Sequence, residues 1–226
     1  MATLRRTVPL LRTALPPLLV PAPLGTCRAF STTSTALKSN DDARPASSQL
    51  FPASKIASSI SKLTSQGFDE STIWEQRVVW GDHDAFGHVN NVNYVRWLES
   101  SRMFFVEKVS EGFTRERKED IIRGKGKSII LAKIDVKYIR PVTYPDVVLV
   151  GQAAELPLQK DRFNMRAVIY SVKQQAVVAV SNQDCVSYDY RSLKKCDIPA
   201  DLRIALEKTG ISASQLEQQQ QQGGKK

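Results

Sequence analysis

Residues 80–94 combine side chains suited to acid–base chemistry with backbone groups that can bind a negative charge. Both histidines of the chain, His83 and His88, lie in this stretch, together with Asp82, Asp84 and three asparagines. An apolar run precedes the stretch and a helical pattern follows it, so the sequence predicts a polar loop that ends at a helix N-terminus. A carboxylate in such a loop lies beside unpaired backbone N–H groups. We therefore expect the chemistry of this protein to be located here.

The same loop offers a metal site as an alternative. Asp82, His83, Asp84 and His88 carry groups that a zinc ion accepts as ligands. The rest of the sequence supplies no further cluster to complete a coordination shell, and the cysteines form no C-x-x-C motif. We therefore expect neither a metal ion nor another cofactor.

The elements around the loop are one strand before it, one long helix after it and several strands beyond. The strand is predicted at residues 73–80 and the helix at 92–109, with apolar side chains over most of the helix circumference. Four further β patterns follow at 128–138, 147–156, 162–172 and 176–190, and the length of the last indicates a bulge or bend. Short connections favour antiparallel hairpins. We predict an α+β fold in which a curved antiparallel sheet wraps one long central helix.

This domain is assigned to residues 68–198. Residues 31–67 are interpreted as a linker with a short helix at 51–67, and residues 110–127 as a charged loop between the long helix and the next strand. Residues 199–226 are interpreted as a short helix followed by a disordered, glutamine-rich tail. A single helix covers only one face of the sheet, so we expect at least a dimer.

Residues 1–30 have the composition of a mitochondrial transit peptide. They contain four arginines and no acidic residue, and serines and threonines crowd the stretch that follows. Arg28, shortly before Ser31, resembles the usual processing site of such presequences. A secretory signal is the alternative, but prolines interrupt the apolar run from Leu15 to Val20, and no run approaches the length of a membrane span. We expect a location in the mitochondrial matrix and no membrane span.

The stretch Asp-His-Asp-Ala-Phe-Gly-His-Val-Asn-Asn-Val-Asn-Tyr at 82–94, followed by Trp-Leu-Glu-Ser at 97–100, resembles the signature of the hotdog-fold acyl thioesterases. The subgroups it resembles are the 4-hydroxybenzoyl-CoA thioesterase-like and acyl-carrier-protein thioesterase-like families. The resemblance covers about residues 70–190, where the predicted order of elements matches the hotdog fold. It implies hydrolysis of an acyl-CoA or acyl-carrier-protein thioester by a homodimer or homotetramer.

In this resemblance the second aspartate of the loop, Asp84, is the catalytic carboxylate, acting as a nucleophile or as a general base that activates water. Backbone N–H groups at the helix N-terminus would polarise the thioester carbonyl. His88 and Asn91 match the His-Val-Asn-Asn element and are further catalytic candidates, which would orient the water or bind the thioester oxygen. Structural alternatives are that His88 braces the loop and that Asn90 or Asn91 caps the helix. Asp82 is interpreted as a loop-bracing acceptor.

Substrate contacts are predicted for Asn90, Tyr94, Trp97, Arg123, Lys125 and Lys127. The two aromatic side chains line either the core or an acyl tunnel. The three basic residues bind coenzyme A phosphates or form a solvated loop. Their Gly-Lys-Gly-Lys-Ser run is not a nucleotide-binding loop, because Ile121 stands where the first glycine is required.

The net charge of +9 falls to +5 without the four N-terminal arginines. A moderately basic protein suits an anionic partner such as coenzyme A or an acidic carrier protein, and we expect no nucleic acid partner. The main alternative function is a non-catalytic hotdog subunit in a mitochondrial complex, against which the intact motif argues. A hotdog dehydratase is a third possibility. The absence of a G-x-S-x-G motif argues against the other common thioesterase architecture.

Overall fold

The computed structural model describes residues 50–212 and 214–215. The predicted transit peptide, most of the predicted linker and most of the predicted tail lie outside these residues. The helices are α1 (Ala53–Thr64), α2 (Asn91–Val109), α3 (Arg115–Arg123) and α4 (Ala200–Lys208). The strands are β1 (Trp74–Val78), β2 (Lys127–Tyr138), β3 (Asp146–Ala154), β4 (Arg162–Ser171), β5 (Ala176–Asp189) and β6 (Lys194–Lys195). None of the helices described is both long and apolar enough to cross a membrane.

The strands form one antiparallel sheet in the order β1-β3-β4-β5-β2, and the short β6 pairs with one end of β5. The strand that follows the long helix therefore lies at the far edge of the sheet, next to the last long strand. The predicted irregularity of β5 is confirmed, because its pairing with β4 shifts register after Ile169. A second irregularity interrupts β2 between Leu131 and Lys133. Such bulges increase the twist that curls a sheet around a helix.

Helix α2 lies against the concave face of this sheet, which confirms the predicted α+β hotdog arrangement. Successive residues of a strand face opposite sides, so Val148 and Val150 of β3 contact the α2 side while their neighbours point outward. Trp97 and Leu98 of α2 pack into the cluster that these valines form. The opposite side of α2 is exposed in the single chain, and it includes the apolar residues Val92, Val95 and Met103.

The outer face of the sheet is covered by other segments of the same chain, whereas the sequence led us to expect a partner subunit there. Leu63 of α1 is fully buried against the outward side chains of β3 and β4. The ring of Phe68 lies so close to Gly151 that a Cβ at that position would overlap it. Ile211, after α4, is buried in the same cluster. Helix α1 and the segment around Ile211, both outside the predicted limits 68–198, thus cover the outer face. Helix α4 lies outside these limits too, and it packs through Leu202 and Leu206 in the cluster that contains Phe105 and Val106 of α2.

Helix α3 occupies part of the stretch that was predicted as a charged loop, so that prediction was wrong. The Thr114 side chain accepts a hydrogen bond from the Arg117 N–H, which caps the helix N-terminus. Gly124 ends the helix in the left-handed region (φ 59°), where glycine is favoured. Ile121 is the buried residue of this helix. With a single buried position, α3 has no apolar periodicity for the sequence to reveal.

A buried polar network joins the middle of α2 to the sheet. The Gln152 side-chain amide donates to the Leu98 carbonyl (2.7 Å) and to the Ser101 hydroxyl. Gln183 of β5, on the far side of β4 from Gln152, donates to Gln152 (3.2 Å) and accepts from the Arg102 guanidinium (2.5 Å). Because buried polar groups are costly when unpaired, this network fixes how far α2 lies along the sheet.

The buried carboxylate of Asp146 anchors the turn before β3 to the turn between β4 and β5. It accepts hydrogen bonds from its neighbour's backbone N–H at Val147 (2.7 Å), from the Lys173 N–H (2.9 Å) and from the Ser171 hydroxyl. Burial raises the pKa of Asp146, and these donors oppose the rise. The carboxylate therefore holds together two connections that are 25 or more residues apart.

Replacing Asp146 with alanine should lower the free energy of unfolding by about 3 kcal/mol, because two backbone N–H groups lose their acceptor where water has little access. The measurement is urea denaturation followed by tryptophan fluorescence. Asp135→Ala is the matched control, since Asp135 is exposed and should change stability by less than about 0.5 kcal/mol. Equal stability of the two variants would contradict the anchoring role.

Candidate active site

Hydrogen bonds between its two ends close the loop that carries the histidines. The Asp82 carbonyl accepts from the Asn90 N–H (2.8 Å) and from the side-chain amide of Asn93 (2.9 Å). The Asp82 carboxylate accepts from the Val79 N–H (2.8 Å). Both polar groups of Asp82 are thus engaged within the loop, which agrees with the predicted bracing role.

His83 fastens the loop to the connection between β2 and β3. Its Nε2 atom accepts a hydrogen bond from the Tyr144 N–H (2.7 Å). The loop is tied to the same connection a second time, because the Val89 N–H donates to the Val142 carbonyl (2.9 Å). Within residues 50–212 and 214–215, no three His, Cys, Asp or Glu side chains come together as metal ligands.

Asp84 lies in a tight turn at the tip of this loop. Its N–H donates to the His88 carbonyl (2.9 Å), and its own carbonyl accepts from the Gly87 N–H (3.1 Å). The Oδ1 atom accepts from the Phe86 N–H (2.8 Å), while Oδ2 has no partner in the described part of the chain. Gly87 has a φ of +75°, a backbone conformation that glycine adopts without strain. One carboxylate oxygen is therefore held in place and the other is free.

Helix α2 begins at Asn91, seven residues after Asp84, and its N-terminus is capped by Asn90. The Asn90 side chain accepts from the Val92 N–H (3.0 Å), so this residue has the capping role that the sequence left open between Asn90 and Asn91. The N–H and the side-chain amide of Asn91 have no acceptor among the described residues. The Asn91 carbonyl accepts from the Tyr138 hydroxyl (3.3 Å), which fixes the first turn of the helix against β2.

These groups face one cavity of about 550 Å³. Its wall includes Asp84, His88, Asn90, Asn91 and Tyr94 of the motif, and the rest comes mainly from residues 138–141 at the end of β2. The structure therefore brings five of the predicted site residues together. The His88 side chain is exposed and makes no hydrogen bond in the described part of the chain, which leaves it available to a ligand.

Two tyrosines form the aromatic part of the wall. The rings of Tyr94 and Tyr138 meet edge to face with their centroids 5.1 Å apart. Burial raises the pKa of both phenols, so they stay neutral at physiological pH. Trp97 packs against Tyr94 at a centroid distance of 5.2 Å and belongs to the buried core.

The predicted basic residues lie elsewhere in the chain. Arg123 and Lys125 precede β2, and Lys127 is its first residue, whereas Tyr138 at the cavity is its last. At about 3.3 Å per residue, the two ends of β2 are roughly 35 Å apart. These three cations are therefore remote from Asp84 of the same chain.

The site residues that sequence reasoning missed are Tyr138, Ile139 and Arg140 at the end of β2, together with Phe86 in the loop. Pro141 marks the strand end in the sequence. No local signal shows that this end lies beside the motif loop, because that proximity depends on the edge position of β2 in the sheet.

The geometry suits one kind of chemistry. A free carboxylate oxygen can act as a base or nucleophile on a carbonyl group, and unpaired donors at a helix N-terminus can stabilise the negative oxygen that forms. A curled antiparallel sheet around one helix, with this site at the helix N-terminus, defines a hotdog-fold protein of the thioesterase type. A family model described as the thioesterase-like superfamily matches residues 78–206, more than half of the chain. The chain belongs to this superfamily.

Solved structures support the same fold. A Pseudomonas aeruginosa protein superposes with a TM-score of 0.54 at 20% identity, over 65% of this chain and 94% of that one. An Aquifex aeolicus protein gives 0.50 at 26% identity, over 59% and 98%. A Thermus thermophilus thioesterase, crystallised with coenzyme A and zinc, gives 0.50 at 21% identity, over 63% and 95%. No curated protein sequence matches the chain significantly.

Asn90→Ala should lower the free energy of unfolding by about 1 kcal/mol, because the Val92 N–H loses its cap. Asn90→Ser should lower the free energy of unfolding by only a fraction of this amount, since a serine hydroxyl also caps a helix. Thermal denaturation followed by circular dichroism measures both. An alanine variant as stable as the serine variant would show that the cap does not hold α2.

Proposed function

We propose that this protein hydrolyses acyl thioesters of coenzyme A or of an acyl carrier protein, releasing the free acid and the thiol. The observation that carries the proposal is that the free oxygen of Asp84 and the unpaired donors of Asn91 face the same cavity. Membership of the thioesterase-like superfamily supports it. Both substrate classes present the same acyl-pantetheine end, which is the part that a cavity of this size accommodates.

In the proposed reaction the thioester carbonyl oxygen binds at the N-terminus of α2. The Asn91 N–H and side-chain amide donate to this oxygen, and the positive end of the helix dipole favours the negative charge that develops on it. As a general base, Asp84 takes a proton from water, whose oxygen attacks the carbonyl carbon. The tetrahedral intermediate then expels the thiolate, which takes the proton back from Asp84.

As a nucleophile, Asp84 would attack the same carbon directly and expel the thiolate, forming a mixed anhydride. Water then hydrolyses the anhydride to the free acid and the Asp84 carboxylate, and the proton released passes to the thiolate. The hydrogen bond from the Phe86 N–H holds Oδ1 (2.8 Å), so in either route Oδ2 is the reacting atom. His88 borders the same cavity and is proposed to orient the water or the thioester oxygen. The neutral Tyr94 and Tyr138 provide the wall for the acyl group.

We further propose that the active form is a homodimer in which two β2 strands pair. Strand β2 lies at an edge of the sheet, and in the described part of the chain it pairs with β5 alone. Leu131 on β2 is 38% exposed, and Val95 and Met103 on α2 are 38% and 43% exposed. An open edge strand beside exposed apolar side chains is a surface that a second copy can cover.

Such a dimer would supply the missing cations. A two-fold axis pairs the strands antiparallel, so the Lys127 end of one β2 lies beside the Tyr138 end of the other. Arg123, Lys125 and Lys127 of the second copy would then stand near the cavity mouth. There they are proposed to bind phosphates of coenzyme A or the acidic surface of a carrier protein.

Asp84→Asn should reduce kcat for thioester hydrolysis by about 10² to 10⁴-fold, the usual contribution of a general base, while the fold persists because asparagine still accepts from the Phe86 N–H. Thiol release from a panel of acyl-CoA and acyl-carrier-protein thioesters measures it. Asp82→Asn in the same loop is the matched control, expected to hydrolyse near the wild-type rate. Wild-type turnover in the Asp84 variant would overturn the mechanism, and no turnover by the wild type on either panel would favour a non-catalytic subunit.

The double variant Val95→Glu, Leu131→Glu should shift the protein from dimer to monomer, because four buried negative charges would face one interface. Sedimentation velocity measures this shift. Ile204→Glu is the control, since Ile204 on α4 is equally apolar, 67% exposed and outside the proposed interface. A wild-type monomer at concentrations where hydrolysis occurs would contradict the dimer.

A further inference from the structure

Arg140 is a cation in the cavity wall without a counter-charge in the described part of the chain. Its guanidinium makes no hydrogen bond or ion pair there, although the side chain is only partly exposed. Most arginines of the structure do have such partners, as Arg117 does with Asp201 (2.7 Å) and Arg191 with Asp120 (3.2 Å). A guanidinium without an acceptor is available to an anionic ligand.

The backbone around Arg140 is fixed by hydrogen bonds, so the point from which its side chain extends is defined. The N–H groups of Ile139 and Arg140 both donate to the Val178 carbonyl, at 2.8 and 3.1 Å. Pro141 follows directly, and a proline restricts the backbone of the residue before it. The next residue, Val142, accepts the hydrogen bond from Val89 of the motif loop (2.9 Å), which ties this strand end to the loop that carries Asp84.

Arg140 and Asp84 line the same cavity, and this limits what the cation can bind. The two side chains do not form an ion pair, and the cavity has a volume of about 550 Å³. An anionic group at Arg140 and a thioester at Asp84 would therefore lie within this one cavity. The pantetheine arm puts the phosphates of coenzyme A much farther from the thioester, so the anion belongs to the acyl side.

Resting on the proposed function, we propose that Arg140 binds a carboxylate on the acyl group, so that the preferred substrates are thioesters of dicarboxylic acids. The guanidinium offers two parallel N–H donors to a carboxylate. Because Asp84 repels a carboxylate that enters alone, Arg140 also lowers the cost of placing the second negative charge in this cavity.

The test compares glutaryl and pentanoyl thioesters, which have the same chain length and differ in the terminal carboxylate. N-acetylcysteamine serves as the thiol, because it carries no phosphate. The wild type should favour the glutaryl thioester in kcat/KM. Arg140→Met should lower the glutaryl-to-pentanoyl ratio by about 10 to 100-fold, the usual weight of a charge-assisted pair of hydrogen bonds. Arg140→Lys should restore part of the ratio, and Arg115→Met, at an exposed position of α3, should leave it unchanged.

A second measurement does not depend on turnover. Isothermal calorimetry with the amide analogues of the two N-acetylcysteamine thioesters should show the same preference and the same loss in Arg140→Met. If the wild type hydrolyses nothing, the proposed function fails, and the binding ratio still decides the role of Arg140.

Three results would overturn the inference. The first is an unchanged glutaryl-to-pentanoyl ratio in Arg140→Met. The second comes from repeating the test with glutaryl-CoA and pentanoyl-CoA: an equal loss on both in Arg140→Met, with no loss on the N-acetylcysteamine pair, would assign Arg140 to a phosphate. The third is a change from dimer to monomer with an unchanged ratio, which would make Arg140 an interface residue.

Discussion

The loop from His83 to Asn90 keeps its shape because its ends are hydrogen-bonded to each other and to the strand connection beside it. The bond between the Asn90 N–H and the Asp82 carbonyl (2.8 Å) closes it, and the bond from Tyr144 to His83 (2.7 Å) anchors it. This closure places a free carboxylate oxygen and a capped helix N-terminus at one cavity. A loose loop would leave the negative charge of Asp84 in solvent, far from the donors that a developing oxyanion needs.

The site also requires α2 to lie at one defined position on the sheet. Both polar and apolar contacts set this position. Apolar clusters hold the helix against the concave face, yet apolar contacts alone would tolerate small shifts along the sheet. The bonds from Gln152 to Leu98 and from Arg102 to Gln183 are directional, so they select one position. A shift of even one residue would move Asn91 away from Asp84. Stability and site geometry therefore depend on the same helix.

The outer face of the sheet differs from its open edge. Helix α1 and the segment around Ile211 cover much of the outer face with side chains of the same chain. The edge strand β2 and the exposed side of α2 have no such cover among the described residues. A partner subunit would therefore make more contacts at the edge, where it can form backbone hydrogen bonds and bury apolar side chains. The sequence analysis predicted a short helix at 51–67 but did not place it on the outer face, so it expected a partner there instead.

Local rules were enough to predict the strands, the long helix and the motif residues, because apolar periodicity, turn residues and a thirteen-residue motif are all properties of neighbouring positions. Helix α3 was not predicted, because a helix with a single buried residue shows no apolar periodicity in the sequence. Its ends are defined instead by the caps at Thr114 and Gly124. The N-terminal composition predicts mitochondrial import, which remains a prediction. Tertiary structure alone decided that Tyr138 and Arg140 join Asp84 at the cavity, while Lys127, eleven positions before Tyr138, lies roughly 35 Å away. Distance along an extended strand grows with every residue, whereas proximity across a sheet depends on strand order, and strand order is fixed only when the whole core packs.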